Sequence, residues 1–320
     1  MDFHKDILNV DVKAEVERIC SFIQQQVREM KRNGAVVGLS GGIDSALSAA
    51  LCVKALGRDK VFGLILPEKD SNPISAEYAS KHAKELGIEF QIVDITPVLE
   101  AFGTYKKRDD VIREIFPEYN KNYKSKMALP PDLLAKDAFN FFTLKIEDTN
   151  GNVKTARLDK KKLNGIVAAT DSKQRTRMMH LYYYAEKMNY LVCGTTNKTE
   201  VMEGFFVKYG DGGVDIEPIA HLYKAQVYQL SEYLGVIREI IERAPSPDTF
   251  SSVVSDEEFY MRMPYDTLDL LLYAWENKVP TEKVCKVMNL TEQQVSRANR
   301  DFDAKFKATK HLRQLPPALE

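Results

Sequence analysis

Leu39-Ser-Gly-Gly-Ile-Asp-Ser-Ala46 follows directly on the apolar run Ala35-Val-Val-Gly-Leu39, so a short buried strand ends in a glycine turn and a helix begins. Two adjacent glycines let the backbone turn tightly and approach a ligand with no Cβ in the way. The helix start presents unpaired N–H groups, and its dipole favours an anion there. Ser40, Gly41, Gly42 and Ser45 therefore form a candidate phosphate cradle, the serines adding hydroxyl donors. Asp44 runs against this pattern, because a carboxylate repels a bound phosphate unless a cation stands between them. Mg²⁺ bridging Asp44 and phosphate oxygens is expected. The loop has neither the Gly-x-x-x-x-Gly-Lys-Ser/Thr of a Walker A loop nor the Gly-x-Gly-x-x-Gly of a dinucleotide turn.

Outward from this turn, strand and helix patterns alternate. A helix runs to Leu56, Val61 to Leu66 reads as a strand, Ile74 to Leu86 as a helix closed by Gly87, and Phe90 to Ile95 as a third strand. Upstream, Leu8, Val12, Val16, Ile19, Ile23, Val27 and Met30 recur at spacings of three and four and predict an amphipathic helix. The rhythm breaks between about 104 and 170, which reads as an insertion. There Asn150-Gly151 lies between the strand-like runs Phe139 to Glu147 and Val153 to Leu158, a hairpin signal with both turn residues at positive φ. A helix from Lys173 to Lys187, a strand Tyr190 to Cys193, the polar loop Gly194 to Glu200 and a helix from Leu222 to Leu234 restore the pattern. Helical segments then start at Asp266, Thr281 and Thr291. The fold class expected is α/β in a single domain over 1–320. It has a doubly wound, mainly parallel five-stranded sheet, the inserted subdomain and a helical C-terminal part.

Composition narrows the function classes. Among 320 residues, 45 Lys and Arg nearly balance 46 Asp and Glu, which argues against a protein whose main task is to coat nucleic acid. No run approaches the roughly 20 apolar residues of a membrane span; Leu268 to Trp275 is short and interrupted by Asp269. The N-terminus lacks a secretory pattern. Cys20, Cys52, Cys193 and Cys285 are too scattered for a zinc site or a disulfide framework, and free thiols in a cytoplasmic protein are expected.

Further strings follow the first in order: Arg175-Thr-Arg-Met178, Gly194-Thr-Thr-Asn-Lys-Thr-Glu200, Lys208-Tyr-Gly-Asp-Gly-Gly-Val-Asp215, Leu222-Tyr-Lys-Ala-Gln226 and Ala244-Pro-Ser246. The Ser-Gly-Gly-x-Asp-Ser turn resembles the PP-loop of N-type ATP pyrophosphatases, the adenine nucleotide alpha-hydrolase-like group. The ordered set resembles the NAD⁺ synthetases within it, over most of 20–105 and 172–270. That resemblance implies ATP-dependent amidation of nicotinic acid adenine dinucleotide (deamido-NAD) through an acyl-adenylate, with AMP and pyrophosphate released and ammonia as nitrogen donor. It implies ATP contacts at Ser40, Gly41, Gly42, Ser45, Leu66, Thr195, Lys208 and Lys224. Mg²⁺ ligands at Asp44 and Glu200, and substrate contacts at Arg175, Arg177, Lys208 and Asp215, are also implied. Asp44, Lys224 and Asp215 would carry the chemistry, in a homodimer. No nitrilase-type domain precedes the first strand, so glutamine would serve only through a separate glutaminase subunit. The sequence departs from the family in its tail, Lys310-His-Leu-Arg-Gln-Leu-Pro316, where Leu312 takes the place of a lysine, and at Pro245-Ser-Pro247 and Phe259 to Pro264.

Two alternatives stand beside this reading. One keeps the adenylation chemistry and changes the carboxylate acceptor, with the insertion reshaping its pocket. The other is a nucleotide-sensing DNA binder. Thr281 to Met288 and Thr291 to Phe302 outline a helix-turn-helix, and 8 basic residues stand against 4 acidic ones from Thr281 to Arg313.

Overall fold

A computed structural model describes residues 2–135 and 141–319. In chain order its main elements are α1 (Val12–Glu29), β1 (Ala35–Gly38), α2 (Ile43–Leu56), β2 (Val61–Ile65), α3 (Pro73–Leu86) and β3 (Glu89–Ile92). Next come α4 (Thr96–Phe102), α5 (Thr104–Arg113), β4 (Lys124–Ala128), β5 (Thr143–Glu147), β6 (Val153–Arg157) and α6 (Lys160–Met188). The chain continues with β7 (Leu191–Cys193), α7 (Lys198–Glu203), α8 (Lys224–Tyr233), α9 (Arg238–Ile241), α10 (Tyr265–Glu276), α11 (Thr281–Met288) and α12 (Glu292–Ala308).

The central sheet is parallel, in the order β3-β2-β1-β7. Alternate residues of its strands enter two cores. Ala35, Val37, Val61 and Ile65 meet α1, α2, α3 and α8 on one face, while Val36, Phe62, Leu64 and Val192 meet α6 and Tyr105 on the other. Apolar burial on both faces is why these strands read as near-continuous Val/Ile/Leu runs. Chain order reverses between β1 and β7, so the carboxyl ends of these neighbours form the crevice where open α/β sheets bind ligands.

The described sheet has four strands where five are expected. Beyond β7 the pairing continues only as a single parallel bridge between Cys193 and Ile216, where Asp215 turns its carboxylate onto the Val192 N–H and Pro218 follows. The third strand stops at Ile92, since Asp94 accepts from the Thr96 N–H to open α4. The helix expected from Lys173 begins at Lys160, where Asp159 accepts the Lys162 N–H; its low amphipathicity hid the earlier turns.

The insertion holds a three-stranded antiparallel sheet, β4-β5-β6, beyond the hairpin expected. Phe139 and Asn140 of the expected first run lie outside the described residues, and β5 starts at Thr143. The hairpin is joined by residues 148–152. Asp148 accepts from the N–H groups of Asn150 and Asn152, and only Gly151 takes positive φ (81°), so the two-residue primed turn is replaced by a longer Asx-capped loop. Met127, Leu144, Ile146, Ile112 and Ile166 form its core with Phe250 and Val254.

At the C-terminal end α11 and α12 do form a helical hairpin, but α12 runs on to Ala308 and packs Val295, Ala298 and Phe302 into a core with α10. Lys305 is buried, 2.5 Å from Glu203 and 3.0 Å from Asp301, and Arg313 bonds the Val201 carbonyl. These cations serve the fold rather than a phosphate backbone. None of the described helices is long and apolar enough to cross a membrane.

Candidate active site

The glycine turn sits at the tip of β1. Gly41 has φ +75°, and a Cβ there would stand 2.3 Å from the Ser75 carbonyl oxygen, so no other residue fits this backbone. Ser45 Oγ accepts the Ser40 N–H at 3.2 Å and donates to the Gly42 carbonyl at 3.0 Å, tying the loop to the first turn of α2. Gly42 caps α2 with no side-chain acceptor, which leaves the helix's first N–H groups available to an anion. Arg243, from beyond α9, reaches the same turn with one nitrogen 3.4 Å from the Gly41 carbonyl and another 2.9 Å from Ser75 Oγ.

Across the crevice, Asn197-Lys-Thr-Glu200 forms a capping box that opens α7. Asn197 Oδ1 accepts the Glu200 N–H at 3.0 Å, and Glu200 accepts the Asn197 N–H at 3.2 Å. The same Asn197 donates to Asp44 Oδ1 at 2.8 Å and so joins the two strand tips. Lys224, the first residue of α8, is 1% exposed. Its ammonium lies 2.5 Å from Asp44 Oδ2, 3.7 Å from Glu200 Oε1 and 5.2 Å from the ring centre of Tyr265. Asp269 anchors this helix start by accepting from the Ala225 N–H at 2.7 Å and from Thr199 Oγ1 at 2.6 Å.

One ammonium thus faces several acids. Burial pushes the Glu200 carboxyl well up, and the neighbouring Asp44 adds to that. Burial also raises Asp256, which is 4% exposed and accepts the Tyr265 hydroxyl at 2.9 Å. Lys224 goes the other way: burial opposes its charge, but the surrounding acids outweigh burial and hold it protonated. Further along the crevice, burial raises Asp211 to about 6 and Glu217 to about 7. Glu217 accepts from the N–H and hydroxyl of Thr196, both at 3.1 Å, next to the half-buried Thr195.

The residues singled out in the sequence fall into three places. Ser40, Gly41, Gly42, Asp44, Ser45, Glu200 and Lys224 converge where β1 and β7 end. Leu66 lies one strand over, and its carbonyl accepts from Arg177 Nε at 3.2 Å. Apart from Thr195, beside Thr196, the remainder are engaged elsewhere. Lys208 Nζ donates to the His311 and Gln314 carbonyls of the tail, each at 2.9 Å, and exposed Arg175 bonds the Lys208 carbonyl at 3.4 Å. Asp215 accepts the Val192 N–H and the Tyr182 hydroxyl. Sequence reasoning did not find Arg243, Asn197, Asp256 or Tyr265. For Asn197 the Asn-x-x-Glu spacing was a signal; for the other three only tertiary contact reveals the role.

A parallel sheet with a glycine turn and a buried lysine–carboxylate group at its switch point defines the PP-loop class of nucleotide-handling α/β enzymes. The NAD synthase family model matches residues 15–130 and 110–316, so the chain belongs to the NAD synthase family. It is 45% identical over 311 residues to an NH₃-dependent NAD⁺ synthetase of Mesorhizobium japonicum, covering 97% of each chain. It is 38% identical to one of Methanocaldococcus jannaschii, covering 95% of this chain and 96% of the relative. Among solved structures, an NH₃-dependent NAD synthetase of Campylobacter jejuni superposes with a TM-score of 0.64 at 26% identity, covering 98% of this chain and 100% of that one. An NMN synthetase of Francisella tularensis shares the fold, with a TM-score of 0.67 at 24% identity, covering 97% and 99%.

Proposed function

We propose that this chain amidates deamido-NAD to NAD⁺ through an acyl-adenylate, spending ATP as AMP and pyrophosphate and taking ammonia as nitrogen donor. The observation that carries this reading is the fully buried Lys224 ammonium between Asp44 and Glu200, beside an anion-ready glycine turn. A carboxylate oxygen of the acceptor attacks the α-phosphorus and the bond to the β-phosphate breaks. Ammonia then attacks the carbonyl carbon, the bond to AMP breaks, and the nitrogen sheds a proton. The turn's N–H groups and the Ser40 and Ser45 hydroxyls hold the phosphates. Lys224 and Arg243 offset charge that grows on the departing diphosphate. Arg177, set against the Leu66 carbonyl, marks the nucleoside side of the crevice.

Asp44 and Glu200 suit Mg²⁺. They are hard oxygen donors facing one cation, and among the described residues no three ligating side chains cage a metal unaided. That arrangement matches a cation shared with nucleotide phosphates. Such an ion would offset phosphate charge beside Asp44. We assign Lys208 and Asp215 to the acceptor side, Lys208 becoming available when it leaves the tail carbonyls. The exposed Met179 and Tyr183 on α6 support packing against a second copy, which light scattering tests.

The test is incubation with ATP, Mg²⁺, ammonium and deamido-NAD, following NAD⁺ and AMP together, beside a panel of other carboxylates. Equal formation of NAD⁺ and AMP is expected. ADP with orthophosphate, or turnover of another acceptor only, refutes the reading. Asp44→Asn should abolish pyrophosphate release in a protein that still folds.

A further inference from the structure

The segment 249–262 runs from the Thr249 carbonyl, held by Lys173, past Asp256, whose carboxylate accepts the Tyr265 hydroxyl beside Lys224, and the insertion grips it on both sides of Asp256. Before Asp256, the Ser125 N–H donates to Ser251 Oγ at 2.9 Å and the Ser252 N–H to the Ser125 carbonyl at 3.2 Å. Phe250 and Val254 are buried in the insertion's own core. After Asp256, Lys126 and Lys145 both bond the Glu258 carboxylate, at 2.8 and 2.9 Å. The Leu129 N–H donates to the Glu258 carbonyl and Arg262 Nε to the Pro130 carbonyl. Between these two grips, the Asp256 N–H donates to the Pro245 carbonyl, and the side chain lies on the side of Tyr265 and Lys224.

Asp256 is poorly matched to its surroundings. Its Oδ2 accepts the Tyr265 hydroxyl, but Oδ1 is buried with no donor. A buried acceptor left unmade costs about 1–3 kcal/mol, so its persistence calls for a partner in another state of the site. The nearby ammonium is that of Lys224, now held by Asp44 at 2.5 Å. On the reading above, Asp44 turns to the nucleotide's cation, and Lys224 then loses its nearest counter-charge.

We propose that the insertion is a clamp that presents Asp256 to the active site, and that Asp256 is a positioning residue whose free oxygen receives the Lys224 ammonium when Asp44 engages the nucleotide-bound cation. The inference rests on the adenylation reading for its chemistry. The clamp stands on contacts of its own.

Three variants test it. Asp256→Asn keeps shape and can keep the Tyr265 bond, but removes the charge. Expected is a fall of about tenfold or more in the turnover of deamido-NAD-dependent ATP–pyrophosphate exchange, with the KM for ATP nearly unchanged and an unaltered melting temperature. Exchange within about twofold of the parent overturns the positioning role, as does an equal loss accompanied by a lowered melting temperature. Asp256→Glu should restore part of the turnover; no recovery counts against a charge role. Lys126→Ala with Lys145→Ala loosens the clamp at half-buried side chains, so folding should survive. Limited proteolysis should then cut within 249–262 faster than in the parent, and Mg²⁺-ATP should slow the cut. An unchanged cleavage rate overturns the clamp. A parent enzyme with no exchange at all refutes the adenylation reading instead, and proteolysis still decides the clamp.

Discussion

Lys173→Met removes the charge at the centre of a buried ionic network. The Lys173 ammonium is fully buried and donates at 2.8 Å to each of Glu68 Oε1, Asp70 Oδ2 and the Thr249 carbonyl. Through these bonds it ties the loop after β2 and the segment that leads to Asp256 onto α6. At an effective dielectric near 20, an ion pair at this distance is worth roughly 6 kcal/mol before desolvation is counted. After removal, Glu68 keeps the Tyr105 hydroxyl and the Asp70 N–H, and Asp70 keeps Arg108. Breaking a buried pair from one side costs about 3–5 kcal/mol, and with those surviving partners a loss of about 4 kcal/mol near neutral pH is expected. Burial pushes the Asp70 carboxyl up, but Lys173 and Arg108 outweigh it and hold it below its usual range. A depressed carboxyl contributes stability above its unfolded value and loses that contribution as pH falls through the folded one. The deficit of the variant should therefore hold down to about pH 4 and narrow as pH falls below it, where unfolded aspartates protonate before Asp70 does in the folded protein. Urea unfolding, read by fluorescence and far-UV dichroism together at neutral and acid pH, measures it. A neutral-pH loss under about 1 kcal/mol, or a deficit indifferent to pH, refutes the idea that these buried charges depend on one another.

Other substitutions read other parts of the site. Lys224→Ala should lower deamido-NAD-dependent ATP–pyrophosphate exchange by about 10²–10³, the scale of losing one preorganised charge stabiliser; if only acceptor affinity weakens, Lys224 belongs to the acceptor side. Gly41→Ala forces a Cβ to 2.3 Å from the Ser75 carbonyl at positive φ, so both melting temperature and ATP binding should fall, and an unchanged melt would show that the turn relaxes freely. His82 is buried with Nε2 3.1 Å from the Ala46 carbonyl, and burial depresses its pKa despite that bond. The unfolded chain then takes up the proton first as pH falls below about 6.5, so stability declines from pH 7 toward 5. His82→Gln should flatten that decline, and a variant as pH-sensitive as the parent would show that other groups cause it.

Local chemistry made much of this protein readable before any coordinates. Paired glycines after an apolar run place a turn at a strand tip, Gly87 closes α3 at φ +67°, and apolar spacing outlines α1, because each is decided by neighbours along the chain. Ser40, Asp44, Ser45, Glu200 and Lys224 were legible for the same reason: they sit in short ordered strings at strand and helix ends. Tertiary structure decided the rest. Lys224 stands at a helix start, which reads as an exposed charge until Asp44 and Glu200, contributed by distant loops, enclose it. Beyond β7 the sheet ends in one bridge, where Asp215 meets Val192, and Lys208 turned to the tail because two carbonyls about a hundred residues away lie within reach. The insertion announced itself in the broken rhythm, but its grip on the segment around Asp256, and the place of Asp256 beside Lys224, have no signal along the chain. Burial, orphaned hydrogen-bonding atoms and shared counter-charges are properties of packing, and periodicity carries no record of which distant surfaces meet.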